Sequence, residues 1–395
     1  MSDPFRVTAT VRLQPGREAS VLRGHPWIYS GALADARPAG VAPVRVVDAN
    51  GHLLGVALPG SSGGSLALRM VAWGEERWGA ELLRRRLAEA AALRDRLAID
   101  SDAMRLVHAE GDGLGGLVVD RYGDTAVLEV YEPAWQPVLG TVVSFLTDTL
   151  HVSGVLLRRG YERRSTPEPV VGPLPAAPVV IREGRARLPV DLVRGQKTGF
   201  FLDQRENRRR LGEVARGATV LNLFSYSGGF AIAALLGGAR RAVNVDASRD
   251  ALGLARQAYG LNDLEARDED FLAGDAFTVA RELASRGERF DLVVVDPPAF
   301  VRRRAELEGG LRGYKDVNLQ ALRLLAPGGL LLTCSCSALV DEEAFGGALL
   351  AAAVDAGRTV RVLERRSAAP DHPVALACPE SRHLKAWLCE VRGRR

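Results

Sequence analysis

From about Gly217 onward, short apolar runs alternate with amphipathic stretches of helical length, and no other feature of the 395 residues constrains the fold as much. ATVLNLFS precedes FAIAALLGG, AVNVDAS precedes ALGLARQAYGLN, FDLVVVDPP precedes VNLQALRLLAPGG, and LLLTCS precedes EEAFGGALLAAAVDAG. Strands that are apolar throughout are buried on both faces, and parallel neighbours need crossover helices to join them. The pattern predicts an α/β fold whose C-terminal part is a doubly wound, Rossmann-like parallel sheet covered on both faces.

The chain before this point has a different texture. Residues 1–75 read as short strands (VTATVRL, VRVVDA, LLGVALP, LALRMVA) between Gly, Pro and Ser turns, which predicts a small β-barrel. A middle α+β domain is expected over 76–190, and the doubly wound domain over 191–395. The middle domain opens with a helix near Ala80–Leu97, where Leu82, Leu83, Leu87 and Ala90 follow a 3.6-residue period. Gly111, Gly113 and Gly116 spell G-x-G-x-x-G, but they precede GLVVDRYGDTAVLEV, two alternating strands about a Tyr-Gly-Asp turn. A dinucleotide loop must instead open a helix, so these glycines predict hairpin turns. A helix is expected over Pro133–Leu150 and a strand at VSGVLLRR, and the Pro-rich STPEPVVGPLPAAP reads as a connection.

Composition narrows the function classes. The chain is 47% hydrophobic and 25% charged, and no apolar run of about twenty residues is present, so no membrane span is expected. Its start lacks the apolar core of a secretory signal, which predicts a cytoplasmic protein. The net charge of +4 suits a polyanionic partner without demanding one. Lysine occurs only at Lys197, Lys315 and Lys385, and arginine clusters at 84–86, 163–164, 208–210 and 302–304. Four cysteines make no disulfide framework and lack paired zinc-site spacing, so no metal is expected.

In an open α/β sheet the ligand sits beyond the carboxyl ends of the strands. There, VLNLF runs into Phe224, Ser225, Tyr226, Ser227 and Gly228 before a helix, and the glycine lets backbone approach a ligand. This loop lacks the full phosphate-binding fingerprint, which disfavours a dehydrogenase and suits a cofactor without pyrophosphate, S-adenosylmethionine. Asp246, about twenty residues on, is placed to accept ribose hydroxyls, and Asp275 is a candidate for the adenine amino group. A later strand ends at Asp296-Pro297-Pro298, an acid at the sheet's active edge followed by a rigid backbone.

VDLVRGQKTGFFLDQREN, LNLFSYSGGF, NVDAS, DLVVVDPPAF and LLTCSCS, in that order, resemble the RlmI-like large-subunit ribosomal RNA cytosine-C5 methyltransferases. RGHPWIYSGAL resembles that family's N-terminal PUA domain, an RNA-binding barrel, and DHPVALACPESRHLKAWLCEV fits its ending. The resemblance implies methyl transfer from S-adenosylmethionine to a cytosine in ribosomal RNA. It also implies that the segment holding Lys197, Asp203, Gln204 and Arg205 lines the cofactor or target pocket. Asp203 with Glu206 equally resembles a capping box opening the helix QRENRRRL.

Cytosine C5 is a poor nucleophile, so its alkylation needs a thiolate added first at C6. The resemblance puts that nucleophile at Cys336, while Cys334 reads as a small apolar core residue. Asp296 would bind the base at N3, with Pro297 and Pro298 presenting carbonyls. Residue 299 is Ala where related RNA cytosine methyltransferases carry a Pro-Cys, so the group removing the C5 proton stays open. The rivals are an RNA N-methyltransferase working through Asp-Pro-Pro, with Phe300 displaced by one position, and a non-catalytic RNA-binding protein. A monomer and a homodimer are both compatible with the sequence.

Overall fold

The computed structural model describes residues 3–61, 64–162 and 165–393, so the Arg163-Arg164 cluster lies outside the described residues. The chain forms two compact units. The first holds Met1–Val179, Asp191–Phe200 and Pro370–Ser381, and the second holds Val180–Val190, Phe201–Ala369 and Arg382–Arg395.

The first unit carries two five-stranded sheets. In one, strands run in the order Ala9–Arg12, Val44–Val47, Leu53–Pro59, Leu66–Trp73 and Trp27–Tyr29. Its core includes Val11, Leu13, Ile28, Val46, Ala57 and Leu68. The second sheet is ordered Glu168–Val171, Gly154–Arg159, Thr125–Val130, Leu117–Tyr122 and Ala103–His108. Leu117–Tyr122 and Thr125–Val130 form the expected hairpin, with Gly123 at φ +58°. The helix Ala80–Arg96 buries Leu82, Leu83, Leu87 and Ala90. Two details depart from the sequence reading. The Pro-rich stretch contains the short strand Glu168–Val171, which pairs with Gly154–Arg159. The segment 133–149 is 3-10, then α, then π, with Pro137 inside the first turn, where its ring and missing N–H disrupt regular α hydrogen bonding.

In the second unit the sheet strands are β1 (Thr219–Leu223), β2 (Arg241–Asp246), β3 (Phe271–Ala273), β4 (Phe290–Val295), β5 (Leu325–Ser335), β6 (Arg358–Arg366) and β7 (Lys385–Gly393). They are ordered β3-β2-β1-β4-β5-β7-β6. The helices are α1 (Arg205–Val214), α2 (Gly229–Leu236), α3 (Arg249–Leu261), α4 (Ala276–Ser285), α5 (Leu307–Leu324) and α6 (Glu342–Ala356). Leu221, Leu223, Val243, Val245, Val293 and Val295 pack against α4, α5 and α6. The intervening residues face the other way, towards α1, α2 and α3. Among them Asn222 and Asn244 are buried; Asn222 donates to Asn244, and Asn244 donates to the Tyr259 hydroxyl of α3.

The expected doubly wound parallel sheet is present, and it carries one antiparallel strand near its far edge. β7 inserts between β5 and β6 and runs antiparallel to both. The connection from β6 to β7 contains no α-helix, the element that usually carries a parallel crossover. Among the described residues, no helix is long and apolar enough to cross a membrane.

Candidate active site

The chain leaves β1 through strained backbone. Phe224 and Tyr226 have φ of +59° and +46°, and Gly228 has +76°. Left-handed conformation at two aromatic residues costs energy and marks a loop held for a purpose. What holds it is Asp246 at the end of β2: its Oδ2 accepts the Tyr226 amide at 2.8 Å and its Oδ1 accepts the Ser248 amide at 2.9 Å. The Ser225 amide donates to the Val245 carbonyl. Gly228 has no room for a side chain, because a Cβ there would lie 2.9 Å from the Ala255 Cβ of α3. The hydroxyls of Ser225 and Ser227 are buried without a hydrogen-bond partner. Two unsatisfied hydroxyls in one strained loop at a sheet's carboxyl edge fit a polar ligand that completes them. Asp275 is exposed and caps α4 by accepting the Thr278 amide at 3.0 Å.

A second cluster surrounds the end of β4. Asp296 Oδ1 accepts Gln204 Nε2 at 3.0 Å. Gln204 Oε1 accepts Asn207 Nδ2 at 2.6 Å, and Asn207 Oδ1 accepts Arg366 Nε at 3.0 Å. Arg366 can only donate, so it sets the orientation of Asn207, and Asn207 sets that of Gln204. The relay therefore aims an N–H at Asp296. Gln204, read from sequence as a pocket residue, stands against Asp296 and is buried. Its neighbour Asp203 accepts from His383 Nε2 at 2.9 Å. The capping box does not form, because the chain enters α1 through the 3-10 turn Leu202–Gln204 with Gln204 at the N-cap, and Arg209 engages Glu206. Arg205 is buried beside Glu206, whereas Lys197 is exposed at φ +51° in the first unit.

The two neighbouring cysteines differ. Cys334 is fully buried in β5, and burial, followed by the Asp296 charge, pushes its thiol well above the usual range. Cys336 lies past the strand end and is half-buried; its Sγ donates to the Pro297 carbonyl at 3.7 Å. The turn is pinned from both sides. Ser335 Oγ donates to the Tyr314 hydroxyl at 3.0 Å, and that hydroxyl lies 2.9 Å from Ser337 Oγ, which accepts the Val301 amide. Pro297 is buried and Pro298 exposed. Phe300 sits among Phe224, Phe277 and Tyr314, 4.8 Å from the last. The sequence reading gave no role to Tyr314, Asn207, His383 or Lys385, because their partners lie far away along the chain; the serines flanking Cys336 were visible as letters of C-S-C-S.

One mixed donor set, His25, Cys378 and Glu380, lies in the first unit. His25 Nδ1 accepts the Trp27 amide at 3.1 Å, so the ring's proton is on Nε2, which faces Glu380 at 3.3 Å. That arrangement is a hydrogen bond between the two side chains.

A profile for S-adenosylmethionine-dependent methyltransferases matches residues 148–388. The chain belongs to that family. S-adenosylmethionine is thus the cofactor of this methyltransferase. A profile for a PUA-like domain matches residues 11–73. Proteins named ribosomal RNA large subunit methyltransferase I from Salmonella newport and Escherichia coli K12 are each 39% identical to it, over 96% of this chain. The alignments cover 96% and 98% of those proteins. Among solved structures, a candidate SAM-dependent methyltransferase from Streptococcus mutans shares the fold with a TM-score of 0.85 at 22% identity, covering 97% of this chain and all of the other. A candidate methyltransferase solved with SAH has the same TM-score at 21% identity, covering 98% of this chain and 100% of that one.

Proposed function

We propose that this methyltransferase methylates C5 of a cytosine in large-subunit ribosomal RNA through a transient Cys336–C6 adduct. The observation that carries the reading is the Cys336 sulfur beside Pro297, one residue from Asp296, with the other nearby thiol sealed in β5. The names of the relatives support the ribosomal substrate, and the PUA-like barrel supports an RNA one. Phe300 supports C5 over nitrogen chemistry, because its ring is committed to an aromatic cluster.

When bound, the cofactor supplies an electrophilic methyl group on a sulfonium. Phe224, Ser225, Tyr226, Ser227, Gly228 and Asp246 would hold it, with Asp275 and Asp203 near the adenine and methionine ends. Asp296, oriented by Gln204, would bind the base at N3, and the Pro297 and Pro298 backbone would fix its plane. The Cys336 thiolate adds to C6 and the electron pair reaches C5, which takes the methyl group. A base then removes the C5 proton, and the returning pair expels the thiolate. Lys197 and Arg205 are proposed substrate contacts. The target base must be unpaired or flipped to reach such a site. In this reading residues 1–75 grip RNA, 76–190 form the middle domain and 191–395 carry the chemistry, in the cytoplasm.

Ribosomal RNA carrying 5-fluorocytosine tests the mechanism, since fluorine at C5 cannot leave as a cation. The expected product is a covalent protein–RNA complex mapping to Cys336. Methylation of ordinary RNA without such trapping removes the adduct. A methyl group mapped to a ring or exocyclic nitrogen favours the rival chemistry.

A further inference from the structure

Lys385 is the first residue of β7, and the antiparallel register pairs it with Ser335, one residue before Cys336. Its side chain is buried. The ammonium donates to the carbonyls of Ser337 and Val340, at 2.9 and 2.7 Å, so it closes the turn that follows the cysteine. Among the described residues no carboxylate lies within ion-pair distance of it. A buried ammonium held only by neutral carbonyls is costly, since burial disfavours the charged form. Burial does press its proton affinity down, and the largest opposing influence is the charge of Cys336.

The sulfur has the opposite difficulty. Donating to the Pro297 carbonyl favours the neutral thiol, because a thiolate would face that oxygen's lone pairs. The titratable and charged groups around the pair are Asp296 just after β4, Cys334 on β5, Tyr314 on α5, and Asp341, Glu342 and Arg382 near the ammonium. Lys385 and Arg382 are the cations in this set. Reactive cysteines elsewhere depend on such a neighbouring cation.

We propose that Lys385 is a positioning residue for Cys336, holding the turn that carries the sulfur and supplying the positive charge that favours its thiolate. The proposal rests on Cys336 being the nucleophile, but its test needs no methyl transfer. Alkylation of Cys336 by iodoacetamide, followed by peptide mass spectrometry across pH, reads the thiolate directly. In the unaltered chain the midpoint should fall below the ~8.5 of free cysteine. Lys385→Met, which keeps length and removes charge, should raise it by about one unit, slowing alkylation near neutrality on the order of tenfold. Lys385→Arg should restore most of the rate, and the acid limb of turnover against pH should move with the thiol.

A midpoint at or above that of free cysteine in the unaltered chain overturns the proposal without any variant. So does an unchanged midpoint in Lys385→Met, or an equal shift in the Met and Arg variants. Cofactor binding by calorimetry shows whether each variant is folded; if Met is not, the unaltered chain and the Arg variant decide. Methylation that survives Cys336→Ala removes the nucleophile reading separately.

Discussion

The Cys336 sulfur rests 3.7 Å from the Pro297 carbonyl oxygen, a hydrogen bond that joins the turn after β5 to the Asp-Pro-Pro turn after β4. The parallel pairing of β4 with β5, Val295 opposite Thr333, brings the two strand ends level. Cys336→Ala is expected to abolish methyl transfer, a loss of at least about a thousandfold for a covalent nucleophile. Cys334→Ala should keep the chemistry and lose some stability through the cavity left in β5. Labelled methyl incorporated into ribosomal RNA measures the first, and thermal unfolding the second.

Gln204→Glu is expected to separate turnover from cofactor binding. Gln204→Glu replaces the N–H aimed at Asp296 by a second carboxylate, and like charges at that distance repel. Turnover should fall on the order of a hundredfold through misplacement of Asp296. Cofactor affinity by calorimetry should change little, and a large loss there would reassign Gln204 to the cofactor.

Asp246 is expected to act on the cofactor loop. Asp246→Ala leaves the part-buried Tyr226 and Ser248 amides without their acceptor, at about 1 kcal/mol for each hydrogen bond lost. Affinity for S-adenosylmethionine should fall at least about tenfold, with Asp246→Asn milder because it keeps one acceptor oxygen.

Gly228→Ala should destabilise the fold by about 1–2 kcal/mol, since the residue sits at φ +76° and the new methyl meets Ala255. The midpoint of denaturant unfolding measures it. Gly253 of α3 has open space at its Cβ position and makes a suitable control.

The buried thiols predict an alkaline weakness. Burial pushes the Cys389 thiol up to about 12, and burial with Glu110 and Glu380 does the same to Cys378. A raised folded value means stability fully present below the unfolded value and lost as pH rises from about 9 towards 12. Thermal stability should therefore decline over that window, and Cys389→Val should reduce the decline. At pH 8 iodoacetamide should label Cys336 well before the other three thiols.

The sequence by itself determined the alternation of strands and helices, the loop after β1, the acids ending β2 and β4, and a thiol just beyond β5. All are contiguous signals, because burial on both faces and tight turns impose their periods and residue types locally. Tertiary structure alone decided the partners. Gln204 meets Asp296 across 92 positions, Asp203 meets His383 across 180, and Lys385 reaches the carbonyls of Ser337 and Val340 across 48 and 45. These pairings follow from the antiparallel insertion of β7 and from the relay through Asn207, neither of which leaves a local pattern. Strand order and register are selected by the packing of whole faces. One of three lysines in a chain rich in arginine thus acquires its place in the turn that carries Cys336 only when β7 enters the sheet.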